Sequence, residues 1–343
     1  MTDFRIRATA FSRRSVLRTG LAGAAAAAVT ATLAACGSSS ADSGKSDSGK
    51  SGSASGGTVE VTTARGKATA PKNPGKVAVL DISLVDTMVE LGLTDSIVAV
   101  PKKNLPERLK SQFSSDKIVD TGALKEPDFD SIAQAGPDLI MIAGRSAGLY
   151  DQLTPISKNV LDFTVDPKDF LKSFTTTTEQ IGAVFGKEKE AKKKIEEIDA
   201  RVEDIRKKAE KLDGTTAILM VSGGKVSTYA PGSRFGGIIY DALGFKPMVE
   251  STKDAAHGDT ISFEFIAEKN PARAFVVDRD AAIGDEGKGA KAVLDNDVVK
   301  RADAFKNDSV VYVDSHAWYI SSTGIASLNS ILDDAEKGLA AAK

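Results

Sequence analysis

Short apolar runs alternate with amphipathic stretches over most of the chain beyond residue 57. Segments 77–80, 97–100 and 139–142 are continuously apolar and read as strands, the last following Gly136-Pro137. Between them, 83–91 repeats Leu84, Val85, Met88 and Leu91 at helical spacing, and 129–133 predicts a short helix. From about Asp169 to Leu212 the pattern changes. Turn chemistry shrinks to Gly182 and Gly186, charge dominates, and Ile195, Ile198, Val202, Ile205 and Ala209 form one apolar stripe on an otherwise polar helix. Two readings fit: a solvated surface helix, or a rod of about 25 residues, at roughly 1.5 Å per residue, joining two lobes. Strand patterning restarts at 217–221, where Gly223-Gly224 leads into 225–228 as a hairpin. Helices are then expected at 235–243, 263–267 and 324–339, with strands at 274–277 and 310–313. This alternation specifies an α/β chain with parallel sheets covered by helices, and its ligand groups belong at the carboxyl ends of strands. Two such lobes enclose a cleft, the default place for a ligand.

The first 36 residues follow other rules. They hold Arg5, Arg7, Arg13, Arg14 and Arg18 against one acid, Asp3, and then an Ala-rich apolar run ending Leu33-Ala34-Ala35-Cys36. A basic start, a short apolar core and small residues at a cleavage point make a secretory signal, and 15 weakly apolar residues are too few for a membrane span of about 20. Ser12-Arg13-Arg14-Ser15-Val16-Leu17-Arg18 resembles a twin-arginine export signal with Val16 and Arg18 at variant positions, so the general secretory route stays open. Leu33 to Cys36 resembles a lipobox, which makes Cys36 a lipidated first residue. Residues 37–57 are almost all Ser and Gly and read as a flexible tether.

Removing the signal sharpens the charge. The whole 343-residue chain has a formal net charge of -2; the first 36 residues carry +4 of it, leaving the remainder at -6. An acidic body with Lys and Arg dispersed excludes a general nucleic-acid binder. One Cys closes no intramolecular disulfide, and two His build no multi-His metal cage. No Gly-x-Ser-x-Gly or His-Glu-x-x-His motif is present, so an enzyme is not expected. An extracytoplasmic serine hydrolase acting through Ser233 is the alternative of another class.

Beyond the signal, Lys outnumbers Arg, and most Lys sit in charge-rich surface runs. Three Arg do not. Arg145 follows the strand at 139–142, Arg234 lies in Pro-Gly-Ser-Arg-Phe-Gly-Gly at a helix start, and Arg279 follows Val276-Val277-Asp278. All three are at strand exits or loop tips, where a permanently charged planar fork suits anionic oxygens. His257 sits in a small-residue loop, and His316, a weaker candidate, and Tyr319 follow the last strand. One imidazole and one phenolate suffice to complete the coordination of a hard ferric ion, and are too few to hold a bare one.

Five pieces carry a family resemblance: Ala143-Gly144-Arg145 with Tyr150-Asp151, Tyr229-Ala230-Pro231-Gly232-Ser233-Arg234-Phe235-Gly236, His257-Gly258, Val276-Val277-Asp278-Arg279, and Trp318-Tyr319. Over about 58–340 the chain resembles the siderophore-binding lipoproteins of bacterial iron ABC importers, nearest the petrobactin and catecholate branch. The resemblance implies the class III substrate-binding fold, two Rossmann-like lobes joined by a single long helix. It divides the chain into an N-terminal lobe 58–172, a helical connector 173–212 and a C-terminal lobe 213–343. It further implies ligand binding by Arg145, Arg234, Arg279, Trp318 and Tyr319 around a ferric siderophore of catecholate or mixed catecholate-carboxylate type. His257 and Tyr319 become candidate direct Fe(III) ligands, although the family often has Tyr-Trp-Tyr where this chain has Ala317-Trp318-Tyr319. No prosthetic group is expected; the iron comes as the siderophore complex. The expected partners are an ABC permease with its ATPase, and the membrane through the lipid on Cys36 at the extracytoplasmic face of the cell membrane. The protein is expected to be a monomer, and Glu90 and Glu264 are expected to meet basic permease residues. A receptor for haem or a corrinoid is the alternative within the binding class.

Overall fold

The computed structural model describes residues 57–254 and 256–340. The signal, the tether up to residue 56 and Cys36 lie outside the described residues. An antiparallel hairpin, β1 (Thr58–Thr63) and β2 (Gly66–Pro71), opens the fold. The next strands are β3 (Val77–Val79), β4 (Ile97–Val100), β5 (Val119–Asp120), β6 (Leu139–Ile142) and β7 (Val160–Asp162). They form an all-parallel sheet in the order β5-β4-β3-β6-β7. Every residue of β3 and β6 is buried, as a parallel strand covered on both faces requires.

The second sheet contains β8 (Thr216–Ser222), β9 (Lys225–Thr228), β10 (Asp259–Ile261), β11 (Arg273–Asp278) and β12 (Val310–Tyr312), ordered β10-β9-β8-β11-β12. Strands β8, β11 and β12 run parallel, while β9 turns back from β8 through Gly223-Gly224 and pairs antiparallel with it and with β10. The hairpin expected from sequence is present.

The long connecting helix is Glu188–Ala209. Its buried residues are the predicted apolar stripe plus Ala191. Its outer face carries ion pairs one turn apart, such as Lys192–Glu196 and Lys208–Asp204. Both readings of this segment therefore describe one helix. The expected connector 173–212 is nevertheless interrupted. Residues 173–185 belong to a separate helix, Phe170–Phe185, which ends where Gly186 takes a left-handed φ of 62°.

The closing helix, Ile325–Ala340, packs on the helix Ile82–Glu90 of the first lobe as well as on the long helix. Arg201 of the long helix reaches Asn329, Asp333 and Glu336. One apolar core thus runs from Val77, Ile82 and Met88 through Ile198 and Ile205 to Phe275, Trp318 and Ile331. A core shared this way resists large relative motion of the lobes. Among the described residues, no helix is long and apolar enough to cross a membrane.

Candidate ligand-binding site

A cavity of about 510 Å³ opens between the lobes. The first lobe contributes the exits of β3 and β6, with Asp81 capping the helix Ile82–Glu90 and Gly144-Arg145 following β6. The second contributes Arg234, His257 and Tyr319. Arg234 comes close to the first lobe because Gly237 lets its helix press against Pro167: a Cβ there would lie 2.0 Å from the Pro167 carbonyl oxygen.

Tyr319 is the hub of the site. It ends the five-residue helix Ser315–Tyr319, whose Asp314 N-cap accepts from the His316 and Ala317 amides. The last carbonyls of a helix have no partner inside it and form its negative end. Guanidinium groups fill that need. Arg145 donates to the Tyr319 carbonyl at 2.5 Å and to Ile320 at 3.2 Å, and Arg234 donates to the same Tyr319 carbonyl. Arg279 approaches the other end of the residue, its Nε 3.1 Å from the phenol oxygen, and is steadied by Ser222 and Asp280. The three guanidinium carbons lie 5.2, 4.4 and 5.6 Å from the Tyr319 ring centre, within cation–π range.

These charges perturb one another. Burial, reinforced by the charge of Arg145, lowers Arg234 to about 10. Burial alone would raise the Tyr319 phenol, but the Arg279 hydrogen bond and the three positive charges outweigh it and hold the group below its usual 10.0. Neither Arg145 nor Arg234 has a carboxylate within 4.0 Å among the described residues. Their partners are dipoles, so their net charge is retained. Asp81 lines the floor near Arg145, yet burial pushes its carboxyl up, against the charge of Arg145.

His257 faces the same cavity from an exposed loop, its side chain 72% accessible. Its Nδ1 lies 2.9 Å from Asp254 Oδ2, which leaves Nε2 free to meet a ligand. Among the described residues, no three His, Cys, Asp or Glu gather as a metal-holding cluster.

The structure thus brings Arg145, Arg234, His257 and Tyr319 to one cavity wall, with Arg279 behind the phenol. Trp318 requires a correction. It is 1% exposed, donates to Asp334 at 3.0 Å and packs on Phe235 and Phe275, so it supports the hub from the core and does not line the cavity. His316 is also engaged elsewhere: its Nε2 lies 2.9 Å from the Asn104 carbonyl, and burial lowers its pKa. Ser233 is buried and donates to Ala230 of its own turn, a poor position for a nucleophile. Glu90 is paired with Lys194 at 2.7 Å, whereas Glu264 is exposed. Sequence reasoning missed Asp81 and Lys125. Asp81 stands at a strand exit with helix-cap chemistry, a signal that was there to use; Lys125 sits in a charged loop with none.

The fold and this cavity define a two-lobed solute-binding protein. A family model described as periplasmic binding protein matches residues 77–317, and the chain belongs to that family. It is 39% identical over 282 residues to the petrobactin-binding protein YclQ of Bacillus subtilis, covering 82% of this chain and 88% of that one. The crystal structure of YclQ superposes with a TM-score of 0.78 at 38% identity, over 82% and 99% of the two chains. The ferric-anguibactin-binding protein FatB of Vibrio anguillarum is 31% identical, with 80% and 85% covered. The catecholate-siderophore-binding protein VctP of Vibrio cholerae gives a TM-score of 0.76 at 33% identity, with 82% and 99% covered.

Proposed function

We propose that this protein captures a ferric siderophore of catecholate or mixed catecholate-carboxylate type and delivers it to an ABC permease, held to the extracytoplasmic membrane face by lipid on Cys36. The observation that carries the reading is the pair Arg145 and Arg234 on the cleft wall, guanidinium groups whose charge is not cancelled by carboxylates. A ferric catecholate is multiply anionic, and its oxygens accept from planar N–H forks. A body at -6 repels such an ion at a distance, so attraction comes from a local, partly desolvated patch. The volume of about 510 Å³ suits a compact chelate. His257 Nε2 and the acidified Tyr319 phenol supply iron ligands where a chelator leaves coordination sites open. Exposed carboxylates such as Glu264 are the docking groups for the permease.

Calorimetric titration with ferric petrobactin, iron-free petrobactin, haem and cobalamin tests the reading. The ferric chelate is expected to bind saturably and the iron-free form far more weakly. Tight binding of haem or cobalamin with no response to ferric petrobactin would reject it. Uptake unchanged by Glu264→Lys would reject the docking assignment.

A further inference from the structure

The opening hairpin precedes the region matched by the family model, and its turn grips the segment that carries Arg145. The Ala64 amide donates to the Asp162 carbonyl at 2.8 Å, which docks the turn onto the end of β7. Arg65 then makes three contacts. Its Nε donates to Asp162 Oδ2 at 3.2 Å, its Nη2 donates to the Ala147 carbonyl at 2.9 Å, and its guanidinium carbon lies 4.3 Å from the Tyr150 ring centre. Ala147 lies two residues beyond Arg145 in the turn Gly144–Leu149, and Tyr150 follows that turn.

The other oxygen of Asp162 continues the chain. The Thr164 hydroxyl donates to Asp162 Oδ1 at 2.6 Å and accepts from the Gly144 amide at 2.9 Å. Gly144 holds a left-handed φ of 45° immediately before Arg145. The Asp162 side chain is 5% exposed, so its charge needs a partner, and Arg65 is the cation that supplies one.

We infer that Arg65 is a positioning residue for Arg145, acting through Asp162 and Thr164 on the Gly144 amide and directly on Ala147 and Tyr150. The hairpin is then a clasp that fixes the direction of one cleft guanidinium without touching ligand. A plain role in docking the hairpin would alter stability and leave the Arg145 turn unchanged. A plain role as an extra attracting charge would add to the effect of Arg145.

Two measurements on the full-length protein separate these roles. Without ligand, amide exchange in residues 143–149 is expected to speed up about tenfold in Arg65→Ala, while residues 217–221 exchange as before. Unchanged exchange at 143–149 overturns the inference. With ferric petrobactin as probe, a part of the inference that rests on the proposed function, Arg65→Ala is expected to weaken binding about tenfold and to add less than about twofold in an Arg145→Ala background. Fully additive losses overturn it. If the parent does not bind the probe, the cleft reading fails while the exchange measurement still decides the clasp. Arg65→Lys keeps a charge at Asp162 and serves if Arg65→Ala does not fold; it is expected to show the same changes at smaller size.

Discussion

Two arginines near the meeting of the lobes are used in opposite ways. Arg108 lies 2.8 Å from Asp86, a fully buried carboxylate that also accepts from the Ser327 amide at the start of the closing helix. There the positive charge is matched by a negative one, and the combination ties the first lobe to the end of the chain. Arg145 also links the lobes, but its acceptors are the main-chain carbonyls of Tyr319 and Ile320. Dipoles fix its geometry and leave its charge available. The pairing partner, more than the arginine itself, decides whether the guanidinium is structural or available to an anion.

This contrast predicts a split between stability and affinity. Asp86→Ala strands the Ser327 amide and frees Arg108, and should cost about 3 kcal/mol of stability, read by denaturant unfolding, with the affinity of the folded protein for ferric petrobactin nearly unchanged. Arg145→Ala should do the reverse. Loss of charge-assisted bonds to an anion is worth about 1.5–3 kcal/mol, so calorimetry should show binding weakened roughly 10- to 150-fold at nearly constant stability. An Arg145→Ala protein that unfolds early and binds normally would erase the distinction. Trp318→Phe should cost about 1–2 kcal/mol, because Asp334 loses its buried indole donor, with little change in affinity.

Smaller effects concern protons. Burial raises the Asp81 carboxyl above its usual 3.8, so the folded state holds this proton more tightly than the unfolded chain does. Its contribution therefore falls as pH rises from near 3.8 through the folded value. Asp81→Asn keeps a helix-capping side chain and removes this penalty. The variant should melt higher than the parent at pH 7, with the gap closing as pH falls toward 3.8; a gap that widens on acidification would refute the assignment. The Tyr319 phenol should ionise below 10.0 in an ultraviolet difference titration against Tyr319→Phe, and Arg279→Ala should move it upward.

Much of this arrangement was legible in the sequence where local pattern decides. The strands at 97–100 and 139–142 match in full, and the apolar stripe of the long helix marks its buried face. Arg145, Arg234 and Arg279 were identifiable because strand exits and glycine-rich turns are local features. Trp318 was misread because adjacent residues of a helix point about 100° apart, and only tertiary packing decides which of Trp318 and Tyr319 turns inward. The break at Gly186 was signalled by the glycine, but the segments on both sides carry helical patterning with no other turn residue between them, which hid it. The return of the closing helix to Asp86, like the grip of Arg65 on the Arg145 turn, joins residues far apart in the chain and has no local signature.

The central claim is that guanidinium charge at the cleft, unneutralised at Arg145 and Arg234, holds an iron chelate. Its most direct measurement is the affinity for ferric petrobactin of a protein carrying Arg145→Ala, Arg234→Ala and Arg279→Ala together, compared with the parent under conditions where both are folded. The account predicts that binding is lost over the accessible concentration range; a triple variant that binds as tightly as the parent would contradict it.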